Sequence, residues 1–458
     1  MPAPLTRTFG RFAAELSFDA LPPEAVAPVK VGFTDCIAVM LAGVREPVAQ
    51  IVKTTLVRTD PNGEARIFLG HERASAVDAA LANGAAAHAL DYDDVALSGH
   101  PSAVLVPAIM AEAEAIGASG RAAIAAYVAG YELWAHLIER DPDPYHRKGW
   151  HPTAVLGPVA AAAAIANLRR LDAEQAATAI AIAASMSAGL VANFGTMTKP
   201  YHAGRAAAAG IAAARLAQAG MTASLDAIEH PLGLLAALSP HNRVDRDTPI
   251  EDLGRNWRVA ALGVNVKKYP ICYATHRSID AILDLAKAHD LKAADITQVD
   301  VSIGRTQATM LKNHRPQTGL EAKFSIEFAM ASSLIARRTG LSELTDEFVL
   351  RPDVQTMMQK VAITQTDTIA ADDPSFAVSD RVEVALNDGR RLASPEVTVA
   401  RGHWSVPLST DDLWAKFSDC AGREFGDNAM HALFDDLQSL DRLDSVRNLQ
   451  RAAEPAAA

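Results

Sequence analysis

Cysteine, aromatic residues and dense basic runs are all scarce in this chain of 458 residues. Its three cysteines, Cys36, Cys272 and Cys420, lie far apart without a C-x-x-C pair, so neither a disulfide framework nor a cysteine-bound zinc cluster is expected. The formal net charge is -11 and the Lys and Arg residues are scattered. This charge pattern disfavours nucleic acid and an anionic membrane as partners.

Signals for membrane insertion and for nucleotide binding are also missing. The start, MPAPLTRTFGRF, has no apolar core after a basic segment, so it is not predicted to be a signal peptide. The alanine-rich runs are too short and too dominated by alanine to span a bilayer. Together with the sparse cysteines, this favours a cytoplasmic protein. The absence of G-x-G-x-x-G after a strand, of Walker A and of G-x-S-x-G argues against nucleotide cofactors and serine hydrolase chemistry.

The pattern of apolar residues predicts two kinds of structure. Residues 24–240 read as successive helices rich in alanine and other small residues, which suits closely packed helices. Within residues 266–400, ITQVDVSIG, KVAITQTD and DRVEVALNDGRRLASPEVTV alternate like strands, and GLEAKFSIEFAMASSLIARRTG reads as one helix. Amphipathic helices return after Gly402. We therefore predict a multidomain α and α+β protein, with an all-α domain built from residues 1–265 and 401–458 and an inserted α+β lid domain at 266–400.

One acidic segment, HALDYDDVALSGHPS, begins at His88 and crowds carboxylates and histidines together. His88 and Asp91 are three residues apart and would share a face if the segment were helical. His100 precedes a proline at a predicted helix start. An active-site role and a role in helix capping or solvation are equally compatible with this segment alone. A metal site ranks third, because convergent ligands are not evident.

Two further segments place basic groups at predicted helix starts. In YHRKGWHPTAVLG, His151 precedes Pro152, and a helix N-terminus there would offer backbone N–H groups to an anion near Tyr145. In MTKPYHAGRAAAAG, Lys199 and His202 open an alanine-rich helix. The simpler interpretation, an ordinary surface loop with basic residues, suits the first segment's Arg and Lys well, and the second segment is weak by itself.

A fourth segment, VKKYPICYATHRSIDA, lies at the predicted domain boundary. Lys268 there is a candidate base if partial burial lowers its pKa. Cys272 is more simply a small buried apolar residue, and Tyr273 is its neighbour. Together the four segments suit a substrate with several carboxylates, whose proton is removed next to one of them while cations neutralise the charge that develops.

Five stretches, in order along the chain, resemble the MmgE/PrpD family. They are NGAAAHALDYDD…GHPSAVLVPA, KGWHPTAVLGPVAAAAAIANL, TKPYHAGRAAAAGIAAARLAQAGMT, KKYPICYATHRSIDA and AKFSIEFAMA. The family includes 2-methylcitrate dehydratase, cis-aconitate decarboxylase and iminodisuccinate epimerase. The resemblance implies a polycarboxylate substrate, a homodimer, no organic cofactor and no metal.

Carried over by position, the family's site residues fall on Asp91, His100, His151, Lys199 and Lys268, with Tyr145 and His202 nearby. We expect proton transfer by Lys199, Lys268, Tyr145 and His151. The expected substrate-binding residues are Asp91, His100, His202, Cys272 and Tyr273.

Three positions depart from the dehydratase and decarboxylase pattern. Val95 replaces a threonine, Tyr273 a histidine and Phe328 a tyrosine. These losses favour a member that only moves a proton, so the sequence predicts a cofactor-independent isomerase, an epimerase of an N-substituted aspartate such as iminodisuccinate. The alternative is a lyase, either a 2-methylcitrate-type dehydratase or a cis-aconitate-type decarboxylase.

Two rivals come from other classes. A terpenoid cyclase would explain DYDD as a D-x-D-D acid motif, but such chemistry favours aromatic walls and aromatic residues are only 5% of the chain. A helical binding protein without activity would leave the basic segments unexplained.

Overall fold

The chain forms two structural units in the computed structural model, which describes residues 3–370 and 376–449. Unit 1 combines Met1–Asn265 with Leu413–Ala458, and unit 2 is Val266–Asp412. Unit 1 is mainly helical, and unit 2 mixes helices with a four-stranded sheet. The predicted fold class, an all-α part built from both chain ends with an inserted α+β part, is confirmed.

Unit 2 continues past residue 400, where the sequence analysis ended it. The backbone N–H of Val266 donates to the Gly402 carbonyl at 2.7 Å, and Lys268 Nζ donates to Asp412 Oδ1 at 2.8 Å. These bonds tie residues 402–412 to the start of unit 2. The chain therefore leaves unit 2 later than the change in sequence texture indicates.

Unit 1 is built mostly from helices that bury small side chains. In chain order they are α1 (Leu5–Glu15), α2 (Pro23–Gly43), α3 (Pro47–Leu56), α4 (Ala76–Ala87), α5 (Pro101–Ile116), α6 (Gly120–Ile138), α7 (Pro152–Leu168), α8 (Ala173–Ala184), α9 (Thr198–Gln218), α10 (Leu234–Leu238) and α11 (Arg258–Leu262). A two-stranded antiparallel ribbon, β1 (Ala65–Arg66) and β2 (Arg73–Ala74), precedes α4.

Glycine and alanine allow α9 to pack closely against both α4 and α7. A Cβ on Gly204 of α9 would lie 2.2 Å from the backbone oxygen of Leu81 in α4. A Cβ on Gly210 would lie 2.3 Å from the Cβ of Ala161 in α7. No larger side chain fits at either crossing without moving backbone, so these small residues bring the starts of α7 and α9 and the end of α4 together.

Helix α2 is long and apolar enough to cross a membrane by length and composition alone. However, 72% of its most apolar window is buried inside the protein, as in the core helix of a globular domain. It also carries a fully buried aspartate, Asp35. The helix is therefore accounted for as a core element of unit 1.

Unit 2 contains the predicted strands. They are β3 (Ile296–Gly304), β4 (Val361–Thr366), β5 (Arg381–Leu386) and β6 (Arg391–Ala393), in the sheet order β4-β3-β5-β6. The β3–β4 pair is parallel, and β5 is antiparallel to both β3 and β6. The Asn387-Asp388-Gly389 segment turns between β5 and β6, with Gly389 at φ +86° as a tight turn requires.

The helices of unit 2 are α12 (His276–Ala288), α13 (Arg305–Met310), α14 (Gly319–Ala322), α15 (Ile326–Ile335), α16 (Asp346–Val349) and α17 (Pro352–Met358). The stretch GLEAKFSIEFAMASSLIARRTG, predicted as one helix, forms two, α14 and α15. The break occurs because the Ser325 hydroxyl accepts from the backbone N–H of Phe328 at 3.2 Å and starts a new helix. After unit 2 come α18 (Thr410–Ala421), in which the unit boundary falls, and α19 (Asp427–Gln438).

Candidate active site

Three helices of unit 1 begin beside one another, and each places an ionisable side chain at its start. His100 and His151 are the residues before the first-turn prolines of α5 and α7, as predicted. Lys199 and His202 lie in the first two turns of α9. The Thr153 hydroxyl of α7 accepts from the backbone N–H of His100 at 3.2 Å. Because helix N-termini carry partial positive charge, their convergence favours a negatively charged ligand.

The glycine of the Gly-His-Pro turn permits this convergence. A Cβ on Gly99 would lie 2.9 Å from Cζ2 of Trp134 and 3.1 Å from Oγ1 of Thr153. Neither the buried indole ring nor the first turn of α7 can give way easily. A side chain at this position would therefore push the start of α5 away from that of α7.

The segment between α4 and α5 is not helical, so the expected helical face shared by His88 and Asp91 does not form. Helix α4 ends at Ala87, and Asp91 has φ +52°, in the left-handed region. In this conformation, which favours aspartate, asparagine and glycine, the chain reverses. The four residues of DYDD then point in different directions: Asp91 is half exposed, whereas Tyr92, Asp93 and Asp94 are buried.

We call the resulting group of side chains the histidine cluster. Its members are His88, Asp91, Asp93, His100, His151, Lys199 and His202. Lys199 Nζ donates to Asp91 Oδ1 at 2.9 Å and lies 5.2 Å from the centre of the Phe194 ring. His100 Nε2 lies 3.7 Å from the same Asp91 oxygen. Asp91 therefore fixes the position of the lysine ammonium within this site.

Asp93 lies between two histidines in the cluster. His88 Nδ1 donates to its Oδ1 at 2.8 Å, and His100 Nδ1 lies 2.8 Å from its Oδ2. Burial alone would raise the pKa of Asp93, but His88 and His100 outweigh burial and hold this pKa well below its usual value. Asp93 is therefore an ionised carboxylate although it is fully buried.

The imidazoles of His88, His151 and His202 are neutral at pH 7. Burial lowers the pKa of His88 to about 4 and that of His202 to about 4. Burial, followed by the neighbouring His88 and His100, lowers the pKa of His151 still further. The Nδ1 atoms of His151 and His202 are 3.2 Å apart, so the N–H of one ring donates a hydrogen bond to the nitrogen of the other.

A second polar group lies behind the cluster in the core of unit 1. We call it the buried acid cluster; it comprises Asp35, Asp94, Ser102, Tyr127 and Lys416. Lys416 Nζ pairs with Asp35, donates to the carbonyl of Tyr92 at 2.9 Å and lies 4.0 Å from the centre of the Tyr92 ring. Burial and the neighbouring Asp35 and Asp93 raise the pKa of Asp94 well above its usual value, so Asp94 is a neutral acid.

The histidine cluster also contains a possible set of metal ligands. Ligand atoms of His88, Asp91, Asp93 and His100 all lie within 4.8 Å of one another. Among residues 3–370 and 376–449, this is the group of side chains whose spacing could hold a metal ion. However, the Nδ1 atoms of both histidines face Asp93, and Asp91 already binds the ammonium of Lys199. A cation at this distance would repel a divalent ion, so the arrangement suits an anionic ligand better.

Tyr145, a predicted proton-transfer residue, lies in a short 3-10 helix before α7 and is fully buried. Its hydroxyl has no hydrogen-bond partner among the described residues. Burial, reinforced by Asp141, raises the pKa of Tyr145 well above its usual value. These surroundings disfavour the phenolate form, so Tyr145 is poorly suited to act as a base.

The remaining predicted site residues, Lys268, Cys272 and Tyr273, belong to unit 2. The ammonium of Lys268 donates a hydrogen bond to the carboxylate of Asp412 at 2.8 Å. The backbone N–H of Cys272 donates to the Lys323 carbonyl at 2.9 Å. The ring of Tyr273 packs 4.8 Å from the ring of His276, measured between ring centres.

Two of the departures used to predict an epimerase have structural explanations. Phe328 is fully buried in the core of unit 2 and meets Phe348 edge-on, with ring centres 6.2 Å apart. The backbone N–H of Val95 donates to the Asn265 carbonyl at 2.9 Å, and the backbone N–H of Asn265 donates to the Val95 carbonyl at 3.0 Å. Any residue can make these two backbone bonds. The Phe328 ring is therefore a core residue of unit 2, and the backbone bonds of Val95 do not depend on its side chain.

Sequence reasoning missed His88 and Asp93 as parts of the site. The acidic segment HALDYDD predicts a shared helical face only for His88 and Asp91, and that face does not form. Asp93 faces the histidines because the backbone at Asp91 is left-handed and reverses the chain. A left-handed backbone at a residue other than glycine cannot be recognised from a sequence pattern, so no signal in the sequence identifies these two residues.

Comparisons with known proteins cover nearly all of the chain. The model of the MmgE/PrpD N-terminal domain matches residues 7–247, and that of the MmgE/PrpD C-terminal domain matches residues 269–439. Cis-aconitate decarboxylase of Mus musculus is 28% identical over 389 residues, which are 81% of this chain and 77% of that protein. The Homo sapiens enzyme of this name is 28% identical over 382 residues, 80% of this chain and 77% of its own.

A fungal relative covers more of both chains. Cis-aconitate decarboxylase of Aspergillus terreus is 24% identical over 474 aligned positions, which span 97% of this chain and 95% of that protein. These relatives are lyases by name. The prediction of an epimerase, and with it that of an isomerase acting on iminodisuccinate, is therefore wrong, and the relatives favour the decarboxylase alternative.

Proposed function

Because this chain belongs to the MmgE/PrpD family, we propose that it is a lyase that decarboxylates cis-aconitate or a closely similar unsaturated tricarboxylate. The observation that carries the proposal is the histidine cluster, in which three helices begin beside one another and a half-exposed Asp91 holds the ammonium of Lys199. Such a site suits an anionic substrate. The names of the relatives supply the reaction.

Lys199 is the group we assign to stabilise the charge that develops. When the carbon–carbon bond to one carboxylate breaks, CO2 leaves and its bonding electron pair spreads over the adjacent double bond toward a second carboxylate. An ammonium fixed by Asp91 can stabilise that charge without reorganising. A proton then returns to carbon, which gives a five-carbon unsaturated dicarboxylate.

His100 and His151 are the groups we assign to substrate binding and proton return. Both precede a helix, so an anion bound by backbone N–H groups there would lie next to their rings. His202 contacts His151, so it orients that ring and does not need to reach the substrate itself. The roles assigned to Tyr145, Lys268, Cys272 and Tyr273 by the family resemblance stay predictions.

The proposal is tested by incubating the purified full-length protein with cis-aconitate. We expect release of one CO2 per substrate and a new five-carbon acid, followed by headspace CO2 measurement and proton NMR. Parallel incubation with 2-methylcitrate tests the dehydratase alternative. Loss of water from 2-methylcitrate, without CO2 release from cis-aconitate, would overturn the proposal.

Chelation provides a second arm of the same experiment. Because Lys199 occupies the carboxylate that a metal would need, prolonged treatment with EDTA should leave the rate of CO2 release unchanged. A rate abolished by EDTA and restored by one divalent ion would instead assign the four-residue set to a metal.

We also propose that the enzyme is a homodimer in the cytoplasm. The homodimer follows from the family resemblance, and the absence of disulfides among its three cysteines is compatible with a reducing compartment. Light scattering coupled to size-exclusion chromatography should give twice the mass of the chain. A monomer that is fully active would contradict the proposed assembly.

A further inference from the structure

Asp93 is a single carboxylate that serves two imidazole rings. Its two oxygens lie 2.8 Å from Nδ1 of His88 and 2.8 Å from Nδ1 of His100. The two rings lie against each other, with centres 4.3 Å apart. Asp93 and His88 have no exposed surface in their side chains, so water does not replace either partner.

The surroundings determine which nitrogen of each ring carries its proton. The hydrogen bond of His100 Nδ1 goes to the backbone carbonyl of Asp94 at 3.1 Å, and a carbonyl oxygen can only accept, whereas its contact with Asp93 Oδ2 lacks hydrogen-bond geometry. Nδ1 of His88 faces an ionised carboxylate, which likewise only accepts. In both rings, therefore, Nδ1 carries a proton, and Nε2 is the nitrogen that can bind or release one.

The two Nε2 atoms lie in different surroundings. That of His100 lies 3.7 Å from Asp91, on a side chain that is 11% exposed, next to the ammonium that Asp91 holds. That of His88 is buried and has no hydrogen-bond partner among the described residues. Of the two nitrogens, only His100 Nε2 is placed to exchange a proton with a bound ligand.

We infer that Asp93 is a positioning residue that, together with the backbone carbonyl of Asp94, keeps the protons of His88 and His100 on Nδ1, and thereby makes Nε2 of His100 the proton-exchanging nitrogen of the site. His88 supports this arrangement because it packs against His100 and occupies the second carboxylate oxygen. This inference deepens the proposed function and rests on it for the identity of the ligand. The tautomers themselves do not depend on the reaction.

Asp94 provides a matched control. It is the next residue along the chain and is equally buried, but its side chain is a neutral acid within the buried acid cluster. Asparagine resembles a neutral carboxylic acid in shape and charge. Asp94→Asn therefore leaves the two histidines in place, whereas Asp93→Asn replaces one of the two oxygens that face the rings by an N–H donor and removes the negative charge that favours a proton on each Nδ1.

The first experiment reads the tautomers directly. The full-length protein is labelled with 15N-histidine, and long-range nitrogen–proton spectra are recorded at pH 7.5. Signals are assigned from the single variants His88→Gln and His100→Gln. We expect Nδ1–H for both rings in the unaltered protein and in Asp94→Asn, and loss of this pattern from at least one ring in Asp93→Asn. An Nε2–H tautomer in either ring of the unaltered protein would overturn the inference, even if Asp93→Asn does not fold.

The second experiment measures CO2 release from cis-aconitate by the two variants, with circular dichroism as a check on folding. Loss of general acid–base function predicts a fall in kcat on the order of 10²- to 10⁴-fold for Asp93→Asn. For Asp94→Asn we expect less than about a threefold change, since the neutral side chain is replaced by a neutral one. Equal losses in the two variants would refute a specific role of Asp93.

The two arms separate the inference from the proposed function. If the unaltered protein shows both Nδ1–H tautomers but releases no CO2 from any tricarboxylate, the proposed function fails and the tautomer assignment is supported. If it is an active decarboxylase with a different tautomer at His100, the function is supported and the inference fails.

Discussion

Asp93 and Asp94 are adjacent, fully buried and chemically identical, yet the structure gives them opposite states. Asp93 belongs to the histidine cluster, where His88 donates to one of its oxygens, His100 lies against the other, and the two hold its pKa well below the usual value. Asp94 belongs to the buried acid cluster, where Asp35 and Asp93 add to the effect of burial and keep it protonated. The difference teaches that the charge of a buried carboxyl group is set by its partners rather than by depth.

The same contrast holds for the lysines of the two clusters. Lys416 has a side chain that is 2% exposed and is enclosed by Asp35 and Tyr92, so its charge serves the fold. Lys199 has a side chain that is 14% exposed and is held from one side by Asp91. We therefore expect substitutions in the buried acid cluster to change stability, and substitutions in the histidine cluster to change activity.

The largest expected effect on stability is that of Lys416→Met. Methionine fills a similar volume but leaves Asp35 without its buried counter-ion and removes the donor to the Tyr92 carbonyl. Breaking a buried pair by removing one partner costs about 3–5 kcal/mol. Urea denaturation followed by circular dichroism at pH 7.5 should show a much lower midpoint. The double variant Asp35→Asn/Lys416→Met should recover part of the loss, and a midpoint equal to that of the single variant would contradict this account.

Lys199→Met should have the opposite profile. Its stability should change by less than about 1 kcal/mol, since the pair with the half-exposed Asp91 contributes little. Removal of the ammonium that stabilises developing charge predicts a fall in kcat/KM for CO2 release of about 10²- to 10³-fold. Lys53→Met, which removes a lysine from the surface pair with Glu72, is the control and should keep full activity. Comparable losses in the two variants would remove Lys199 from the site.

Much of the framework that carries this contrast could be predicted from the sequence. Proline after His100 and His151 marked two helix starts, and the alternation in residues 296–304 and 381–386 marked strands. These signals are local, since a proline ring or a polar–apolar alternation acts within a few residues. They suffice to place two of the cluster's side chains, those of His100 and His151, at helix starts.

The pairings that distinguish the two clusters could not be predicted in this way. Lys416 meets Tyr92 across 324 residues, and no local pattern relates them. Asp91 adopts its left-handed backbone because the packed ends of α4 and α5 require a reversal there. The epimerase prediction rests on three departures from the family pattern, Val95, Tyr273 and Phe328, and the structure places Phe328 in the core of unit 2, so its lost hydroxyl does not identify the reaction.

Acid should destabilise the protein through the histidine cluster. His88 and His202 have folded-state pKa values of about 4, below the unfolded value of 6.5. Between these values the unfolded chain binds more protons, so stability falls as pH decreases from about 6.5 to about 4, by roughly 2–3 kcal/mol for each residue. The urea midpoint should therefore decrease steeply over this range.

His202→Gln should make that decrease shallower, because one titrating group is removed. His136→Gln is the matched control, since burial lowers the pKa of His136 to about 4 as well, outside the cluster. Both variants should make the decrease of the urea midpoint at acid pH shallower, but only His202→Gln should lower the rate of CO2 release. If neither variant alters the decrease of the urea midpoint at acid pH, groups other than these two histidines cause the loss of stability.

The smallest effect, and the sharpest test of the comparison, is expected from Asp94→Asn at alkaline pH. The unfolded carboxyl loses its proton near pH 3.8, whereas the folded one keeps it because its pKa is raised. Above pH 3.8 the folded state thus binds more protons, and the stability of the unaltered protein decreases with rising pH until the folded-state pKa is reached. Asparagine does not titrate, so the stability of Asp94→Asn relative to the unaltered protein should increase as the pH rises. Asp93→Asn should show no such gain, because Asp93 is ionised in both the folded and the unfolded state between pH 6 and 8.

Urea midpoints of the three proteins at pH 6, 7 and 8 decide the question. Parallel curves for the two variants would mean that the two carboxyl groups do not differ in charge.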